Sequence, residues 1–298
     1  MKLTIHTATY NRAYILSKAY ESLCAQTCKD FEWIITDDGS TDGTRELVHS
    51  WQERDNGFSI VFNPLDRVGL PRAINSGVER ASGAWFMRLD SDDYLMPQTV
   101  EKVLDWIAEI EHDERFVGVG FAKCQPDGRF MKNRVPKIDQ TLGYVDASNI
   151  QRVQYGLDMD MCEAERVSIL KQFPHQVWPG EMFAPEQLNH NTIALAGYTY
   201  RWRTEKLFGC DYLTDGLTQN DSIVKNNPMG YAMMHNQNML LRESFVEKCR
   251  CAVQMTALSI YAGNLCYLKK SNCIAATVLT FPVGVLLSVR RKMQYKKM

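Results

Sequence analysis

The sequence predicts an α/β protein with a mostly parallel central sheet that carries helices on both faces. Short apolar runs rich in β-branched and aromatic residues alternate with amphipathic helical patterns through about residue 110. Polar clusters directly follow three of these runs, and apolar residues become denser after residue 230. A chain of 298 residues with 45% hydrophobic content can bury a sizeable core, which excludes a disordered protein.

The predicted elements follow one another in regular order. Strands are predicted at Leu3–Thr7, Phe31–Thr36, Ser59–Phe62, Ala84–Leu89 and Phe116–Ala122. Helices are predicted over residues 16–23, 42–53, 70–77 and 100–107, from apolar spacing or from preceding cap residues. Residues 125–180 are less regular, so we expect loops and short elements over the sheet edge there. The region after residue 230 is expected to be helical.

The three polar clusters are predicted to meet in one crevice, because parallel strands joined by helices all end at the same sheet edge. Their sequences are Thr7-Ala8-Thr9-Tyr10-Asn11, Asp37-Asp38-Gly39-Ser40 and Asp90-Ser91-Asp92-Asp93. Asp90 and Asp92 offer hard oxygen ligands that suit Mg²⁺ or Mn²⁺ bridging two phosphates. Neither the dinucleotide pattern G-x-G-x-x-G nor the P-loop pattern is present, so another kind of nucleotide-binding sheet is indicated.

Four motifs in this order resemble family 2 glycosyltransferases of bacterial cell-surface polysaccharide synthesis. They are Thr9-Tyr10-Asn11-Arg12, the stretch from Asp37 to Thr44, the stretch from Gly69 to Gly77, and Leu89-Asp90-Ser91-Asp92-Asp93. The resemblance covers roughly residues 1–110. It implies a GT-A fold, a nucleotide-sugar donor, a divalent cation and inversion at the anomeric carbon.

The same resemblance assigns roles in the donor site. Thr7, Thr9 and Asn11 would line the nucleoside pocket, Asp38 would accept a hydrogen bond from the base, and Asp37 would support Asp38. Each of these polar residues would equally suit a turn or a helix cap.

Asp90 would contact the ribose or the metal, Asp92 would ligate the metal, and Ser91 between them belongs to the donor-binding set. Arg72 is a candidate for binding the diphosphate. Many relatives place an Arg directly before the position of Asn75, where this chain has Ile74, so Arg72 would approach the diphosphate from two residues earlier. A plain surface role for Arg72 is the alternative.

An inverting transfer needs a carboxylate that removes the acceptor hydroxyl proton. The family usually supplies it from a Glu-Asp motif, which is missing here. Glu186 is the better candidate, because Phe-x-Pro-Glu resembles the motif of some bacterial members, and Glu181 is the second. Asp158 and Asp160 lie where relatives receive the acceptor. They would bind sugar hydroxyls or cap the following helix.

The C-terminal segment predicts contact with an anionic surface. Residues 248–298 hold nine of the 34 Lys and Arg and none of the 35 Asp and Glu. An uncharged run, Cys273–Val289, lies between basic flanks and contains Pro282. A helix lying in or dipping into the cytoplasmic leaflet is favoured over a full span, with a buried core helix as the alternative. The apolar run argues against a nucleic-acid partner.

The expected location is the cytoplasm, at the inner face of the cell membrane. Nine cysteines without a C-x-x-C pair suggest neither a disulfide framework nor a zinc ribbon, and the first strand follows Met1-Lys2 without room for a signal peptide. The predicted domains are a GT-A domain at 1–230, with a nucleotide-sugar half (1–115) and an acceptor half (116–230), and a membrane-associating helical region at 231–298.

The sequence thus predicts an inverting, metal-dependent transferase. It would move one sugar from a nucleotide donor, with a UDP-sugar favoured, to a saccharide acceptor carried on a polyprenyl-diphosphate lipid. The alternatives are a nucleotidyltransferase on a related sheet and a non-catalytic membrane-associated scaffold of the same fold.

Overall fold

The computed structural model describes residues 2–131, 135–139, 141–210 and 222–296. Among them, contacts divide the chain into two compact units. The first unit comprises Met1–Pro174 and Asn191–Leu213, and the second comprises His175–His190 and Thr214–Met298. The predicted boundary between residues 230 and 231 remains a prediction.

The first part of the chain alternates strand and helix as the sequence predicts. The strands are β1 (Leu3–Thr9), β2 (Phe31–Asp37), β3 (Ser59–Pro64), β4 (Trp85–Arg88) and β5 (Tyr94–Leu95). The helices are α1 (Ser17–Cys24), α2 (Thr44–Gln52), α3 (Leu70–Arg80) and α4 (Thr99–Ile110). Strand β2 is buried at every position, as expected for a central strand with both faces covered.

The later part of the chain supplies further strands and shorter helices. The strands are β6 (Phe116–Cys124), β7 (Tyr144–Ala147), β8 (Met161–Arg166) and β9 (Thr199–Gly209). The helices are α5 (Val167–Gln172), α6 (Gln187–Leu195), α7 (Ile223–Asn226), α8 (Pro228–Leu241), α9 (Phe245–Tyr261) and α10 (Ile274–Tyr295), with short 3₁₀ turns at Gln151–Tyr155 and Leu265–Lys270.

The sheet runs in the order β3-β2-β1-β4-β8-β6-β9-β5, with β7 on β9. The pairs among β1 to β4 are parallel, as predicted, whereas β8 is antiparallel to both β4 and β6. The second half of the sheet is therefore mixed. Sequence patterns missed β8, because its residues Met-Cys-Glu-Ala-Glu-Arg carry charges that are unusual in a central strand.

Aromatic packing fixes the helices of the first unit to the sheet. The rings of Tyr20 on α1 and Trp51 on α2 stack at 4.3 Å, and both lie near Trp33 of β2. These large buried rings bring together two helices and one strand that are distant in sequence. The polar ends of the strands are thereby held on a rigid core.

Helices α8, α9 and α10 form the main body of the second unit. A Cβ atom on Gly284 of α10 would lie 2.6 Å from Thr256 Cγ2, so α10 and α9 approach very closely there. The opposite side of α10 is apolar and exposed, with Leu279 and Leu286 about two-thirds accessible. Among the described residues, α10 is the one helix long and apolar enough to cross a membrane.

Candidate functional site

The site lies at the sheet edge where β1, β2 and β4 end. Thr9 pairs with Asp37 in register, and the Asp38 amide donates to the Thr9 carbonyl oxygen at 2.8 Å. The Leu89 amide donates to the His6 carbonyl oxygen at 2.9 Å, which fixes the start of the acidic cluster beside β1. The three predicted polar clusters therefore converge, as parallel pairing requires.

The predicted nucleoside residues on β1 differ in their surroundings. Thr7 Oγ1 is fully buried, donates to the Leu89 carbonyl oxygen at 2.7 Å and accepts from Trp33 Nε1 at 2.9 Å. Its hydroxyl joins β1 to the end of β4. Thr9 Oγ1 is also buried and has no hydrogen-bond partner among the described residues.

Asn11 shapes the turn after β1. Its φ of 52° lies in the left-handed region, which Asn tolerates better than most residues. Its amide donates to Ser40 Oγ at 2.8 Å, and its Oδ1 accepts from the Thr41 amide at 2.8 Å. Asn11 thus joins the first polar cluster to the second.

Asp37 and Asp38 are both buried and both hydrogen-bonded. Asp37 Oδ1 accepts from the Ser40 amide at 3.2 Å and from the Ser40 hydroxyl. Asp38 Oδ2 accepts from the Gly69 amide at 3.0 Å and from Arg67 Nη1 at 2.7 Å. The Asp38 carboxylate therefore anchors the backbone at the start of α3.

Basic side chains surround this anchor. The Arg67 guanidinium lies over the Tyr10 ring, 3.5 Å from its centroid, while bonded to Asp38. Arg72 Nη1 donates to the Val68 carbonyl oxygen at 2.8 Å. Arg72 is partly buried in the first turns of α3, and its role toward a diphosphate remains a prediction.

The acidic cluster after β4 contains one exposed and one deeply buried carboxylate. The Asp90 side chain is 57% exposed, whereas Ser91 and Asp93 are buried. Burial raises the pKa of Asp93 to about 7, with Asp90 and Asp92 adding to the rise and Lys123 opposing it. Burial and the neighbouring Asp90 charge also raise the pKa of Asp92.

The carboxylates of Asp90 and Asp92 fit a Mg²⁺ or Mn²⁺ ion, because such ions bind one or two carboxylates and take substrate phosphates as further ligands. Burial and, secondly, the Asp90 charge raise the pKa of Asp92, and a nearby divalent cation would favour the ionised form of its carboxylate. In the described ranges, no group of three or more His, Cys, Asp or Glu side chains is placed to hold a metal ion.

Strand pairing brings further residues to the same edge. Strand β8 is antiparallel to β4, so Asp158 and Asp160, just before β8, lie at the end where β4 finishes. The Asp160 carbonyl oxygen accepts from the Lys123 amide at 3.3 Å. Both Asp side chains are partly buried, and their predicted contact with an acceptor remains a prediction.

The two candidate bases belong to the second unit. Glu181 is buried, and its carboxylate accepts from the amides of Met229 at 2.5 Å and Gly230 at 2.9 Å, at the first turn of α8. Burial raises the pKa of Glu181, and these two hydrogen bonds oppose the rise. Glu186 is partly buried directly before α6, where its carbonyl oxygen accepts from the Asn189 amide at 2.9 Å.

Sequence reasoning missed Lys123 and Arg67. Lys123 Nζ lies 3.3 Å from Asp90 Oδ2 and 3.5 Å from Asp93 Oδ2. The available signal for Lys123 was its position directly after the predicted strand Phe116–Ala122, at the end of the strand where ligands bind. For Arg67 no such signal existed, since it lies in the loop after β3.

Comparisons with known proteins agree with this geometry. The GalNAc(5)-diNAcBac-PP-undecaprenol beta-1,3-glucosyltransferase of Campylobacter jejuni is 36% identical over 95 residues, which are 32% of this chain and 31% of that protein. The matches to three curated relatives cover 18%, 31% and 32% of their lengths, so the chain corresponds to part of each.

Solved structures match most of the chain with the same fold. S. aureus TarS 1-349 in complex with UDP has a TM-score of 0.57 at 16% identity, covering 99% of this chain and 92% of that one. Mannosyltransferase PcManGT from Pyrobaculum calidifontis in complex with GDP-Man and Mn²⁺ has a TM-score of 0.51 at 16% identity, covering 96% and 73%. The GT-A fold that the sequence predicts is thereby confirmed.

The family model described as glycosyl transferase family 2 matches residues 4–170, more than half of the chain. That range contains β1 to β4, the three polar clusters and Lys123. The chain belongs to glycosyltransferase family 2.

Proposed function

We propose that this protein is an inverting glycosyltransferase that moves one sugar from a nucleotide-sugar donor to a saccharide acceptor. The observation that carries this proposal is the convergence of Asp38, Asp90 and Asp92 at one sheet edge in a chain of glycosyltransferase family 2. A UDP-sugar is the favoured donor, supported by the UDP complex of a protein with the same fold.

The donor would bind along the edge from β2 to β4. Tyr10 offers an aromatic face and Asp38 a buried carboxylate for the base, while Asp90 and Asp92 face the diphosphate. Asn11 holds the turn through Ser40 and Thr41, which would keep the proposed nucleoside site in place without the donor. When bound, Mg²⁺ or Mn²⁺ would offset the charge of the departing diphosphate.

Glu186 is the proposed general base, and Glu181 is the second candidate. The base removes the proton of the acceptor hydroxyl while that oxygen attacks the anomeric carbon from the face opposite the diphosphate. The stretch Phe-x-Pro-Glu, which resembles the motif of some bacterial members, favours Glu186 for this step, while the carboxylate of Glu181 accepts from two backbone amides of α8. Asp158 and Asp160 are proposed to bind hydroxyl groups of the acceptor.

The acceptor is proposed to be a lipid-linked saccharide at the inner face of the cell membrane. The Campylobacter jejuni relative is named for a saccharide linked to such a lipid, undecaprenol. In this chain, the exposed apolar side of α10 and the basic residues around it suit an anionic bilayer surface. In the proposed division, 1–230 form the GT-A domain with halves 1–115 and 116–230, and 231–298 form the membrane-associating region.

Calorimetric titration with UDP, GDP and dTDP, each with and without Mn²⁺, tests the donor site. We expect one nucleotide to bind in a metal-dependent way and Asp92→Asn to weaken that binding at least tenfold. Asp105→Asn is the matched control, because Asp105 is exposed on α4, outside the acidic cluster. Absence of binding by all three nucleotides would refute the transferase and favour a scaffold.

A further inference from the structure

Lys123 is held by two carboxylates of the acidic cluster. It comes from β6, whereas Asp90 and Asp93 follow β4, so the contact joins residues about thirty positions apart in the chain. The Lys123 side chain is 15% exposed, and its ammonium lies 4.2 Å from the centroid of the Phe208 ring on β9. The neighbouring side chains, rather than solvent, therefore hold the Lys123 ammonium in one position.

Asp93 is the second carboxylate in contact with Lys123. The Asp93 carboxylate is 7% exposed, and its Oδ2 contacts both Lys123 Nζ at 3.5 Å and Cys210 Sγ at 3.3 Å. A buried ammonium needs polar partners, and Asp93 supplies one beside Asp90. Lys123 therefore does not depend on Asp90 alone.

Asp90 does not need Lys123 either. Its carboxylate is 57% exposed, so water can solvate it. Lys18, the other lysine near the cluster, donates to the backbone oxygen of Asp92 at 3.3 Å and lies over the Tyr94 ring. The Lys123 ammonium thus contacts the Asp90 carboxylate, to which the proposed function assigns the binding of a metal ion or the ribose.

We propose that Lys123 is a positioning residue that holds Asp90 Oδ2 and withholds it from a divalent cation until a diphosphate is present. This inference rests on the proposed function. In the free protein the tethered ammonium lowers the affinity of the cluster for Mn²⁺ alone. The diphosphate brings its own negative charge and ligands, so the ion and the nucleotide bind together.

The consequence is cooperative binding that depends on one lysine. Without Lys123, Asp90 is available to Mn²⁺ before the nucleotide arrives. The ion then binds more tightly alone, and the additional affinity that UDP gives to it becomes smaller. A lysine that only stabilised the fold would change neither quantity in this direction.

The test is a Mn²⁺ titration followed by electron paramagnetic resonance, with and without UDP, on the wild type and Lys123→Met. We expect Lys123→Met to bind Mn²⁺ alone about tenfold more tightly, as removal of one nearby positive charge implies. We also expect the gain in Mn²⁺ affinity on adding UDP to fall by a similar factor. Lys29→Met is the matched control, because Lys29 also lies over a Phe ring but donates to backbone carbonyl oxygens.

A second variant keeps the test valid if Lys123→Met does not fold. The double variant Lys123→Met/Asp93→Asn removes the buried pair together. We expect it too to bind Mn²⁺ alone more tightly than the wild type. If both variants bind Mn²⁺ as the wild type does, or more weakly, the inference is wrong.

The two proposals fail in different ways. If wild-type protein shows no metal-dependent binding of UDP, GDP or dTDP, the proposed function and this inference are both overturned. If the wild type binds a nucleotide with Mn²⁺ and the Lys123 variants leave the affinity for Mn²⁺ alone unchanged, the inference about Lys123 alone is overturned.

Discussion

At the scale of the residue, similar acidic side chains serve different purposes according to what surrounds them. Glu181 receives two backbone hydrogen bonds at the start of α8, whereas Glu186 stands directly before α6. The sequence motifs identify both Glu181 and Glu186 as candidates for the general base. The two amide hydrogen bonds stabilise the Glu181 carboxylate in place at a helix terminus, so Glu181 is less available to a substrate proton.

Substitution of the two residues should separate chemistry from stability. Glu186→Gln should lower the rate of sugar transfer by about 10²–10⁴-fold, the usual contribution of a general base, and leave nucleotide affinity unchanged. Glu181→Ala should lower the free energy of unfolding by about 1–3 kcal/mol, because two buried amides lose their acceptor. Steady-state kinetics and urea unfolding of both variants check this. The reverse pattern would make Glu181 the base.

A buried carboxylate on β8 should make stability depend on pH. Burial raises the pKa of Glu163 from 4.5 to about 7, although Arg152 Nη1 lies 3.7 Å away and opposes the rise. Because the folded state has the higher pKa, it favours the protonated form. The stabilisation from that proton is complete below about pH 4 and is lost as the pH rises through about 7.

Glu163→Gln should remove this dependence. The difference between the two pKa values corresponds to about 3 kcal/mol of stability lost by the wild type between pH 4 and pH 8. The wild type should therefore lose more stability than the variant between pH 5 and pH 8 in urea unfolding. Equal losses would show that Glu163 titrates normally in the folded protein.

At the scale of the element, close contacts decide where the site residues stand. Helix α3 begins at the loop that Asp38 anchors, and it packs on β1 through Gly77. A Cβ atom on Gly77 would lie 2.3 Å from His6 Cδ2. The His6 ring has little freedom to move, because its Nε2 is hydrogen-bonded to Thr36 Oγ1 at 2.9 Å.

Gly77→Ala should therefore destabilise the first unit by about 1–3 kcal/mol, as expected for overpacking. Because Asp38 is hydrogen-bonded to the backbone at the start of α3, displacement of this helix should lower nucleotide affinity as well. Urea unfolding and nucleotide titration measure the two effects. Arg80→Ala, an exposed substitution at the end of the same helix, is the control and should change stability by less than about 0.5 kcal/mol.

At the scale of the whole molecule, the two units differ in the kind of surface that they present. The first unit gathers carboxylates at one sheet edge, whereas the second exposes an apolar helix with basic residues around it. On α10, Leu279, Val283 and Leu286 follow the spacing i, i+4, i+7 and are all exposed. A surface of this kind indicates a partner, and its charge favours an anionic membrane.

Leu279→Asp/Leu286→Asp should weaken binding to vesicles of anionic lipid at least tenfold, since each buried Leu contributes about 1.5–3 kcal/mol. Co-sedimentation with anionic and with zwitterionic vesicles measures this binding. The wild type should bind more strongly to the anionic vesicles. Leu142→Asp/Leu195→Asp is the control, because these exposed leucines lie outside α10. Equal binding by both double variants would show that α10 does not contact the bilayer.

The sequence by itself determined the order of the early strands and helices and the placement of polar clusters at strand ends. These features depend on local periodicity, and the helices α1 to α4 and the strands β1 to β4 and β6 occur within a few residues of their predicted positions, whereas the short strand β5 was not predicted. Asp90 and Asp92 could be named as candidates for the same reason, since their spacing and their position after a strand are local properties.

The tertiary structure decided which distant residues meet those clusters. Strand β8 inserts between β4 and β6 and β9 pairs with β6, so that Lys123 and Cys210 reach Asp93 across 30 and 117 residues of chain. Local periodicity carries no information on such pairings, because they depend on which strand faces fit together once the core is packed. The same packing places the carboxylates of Asp38 and Glu181 where they accept hydrogen bonds from backbone amides at the starts of α3 and α8. Their sequence motifs alone did not predict these contacts.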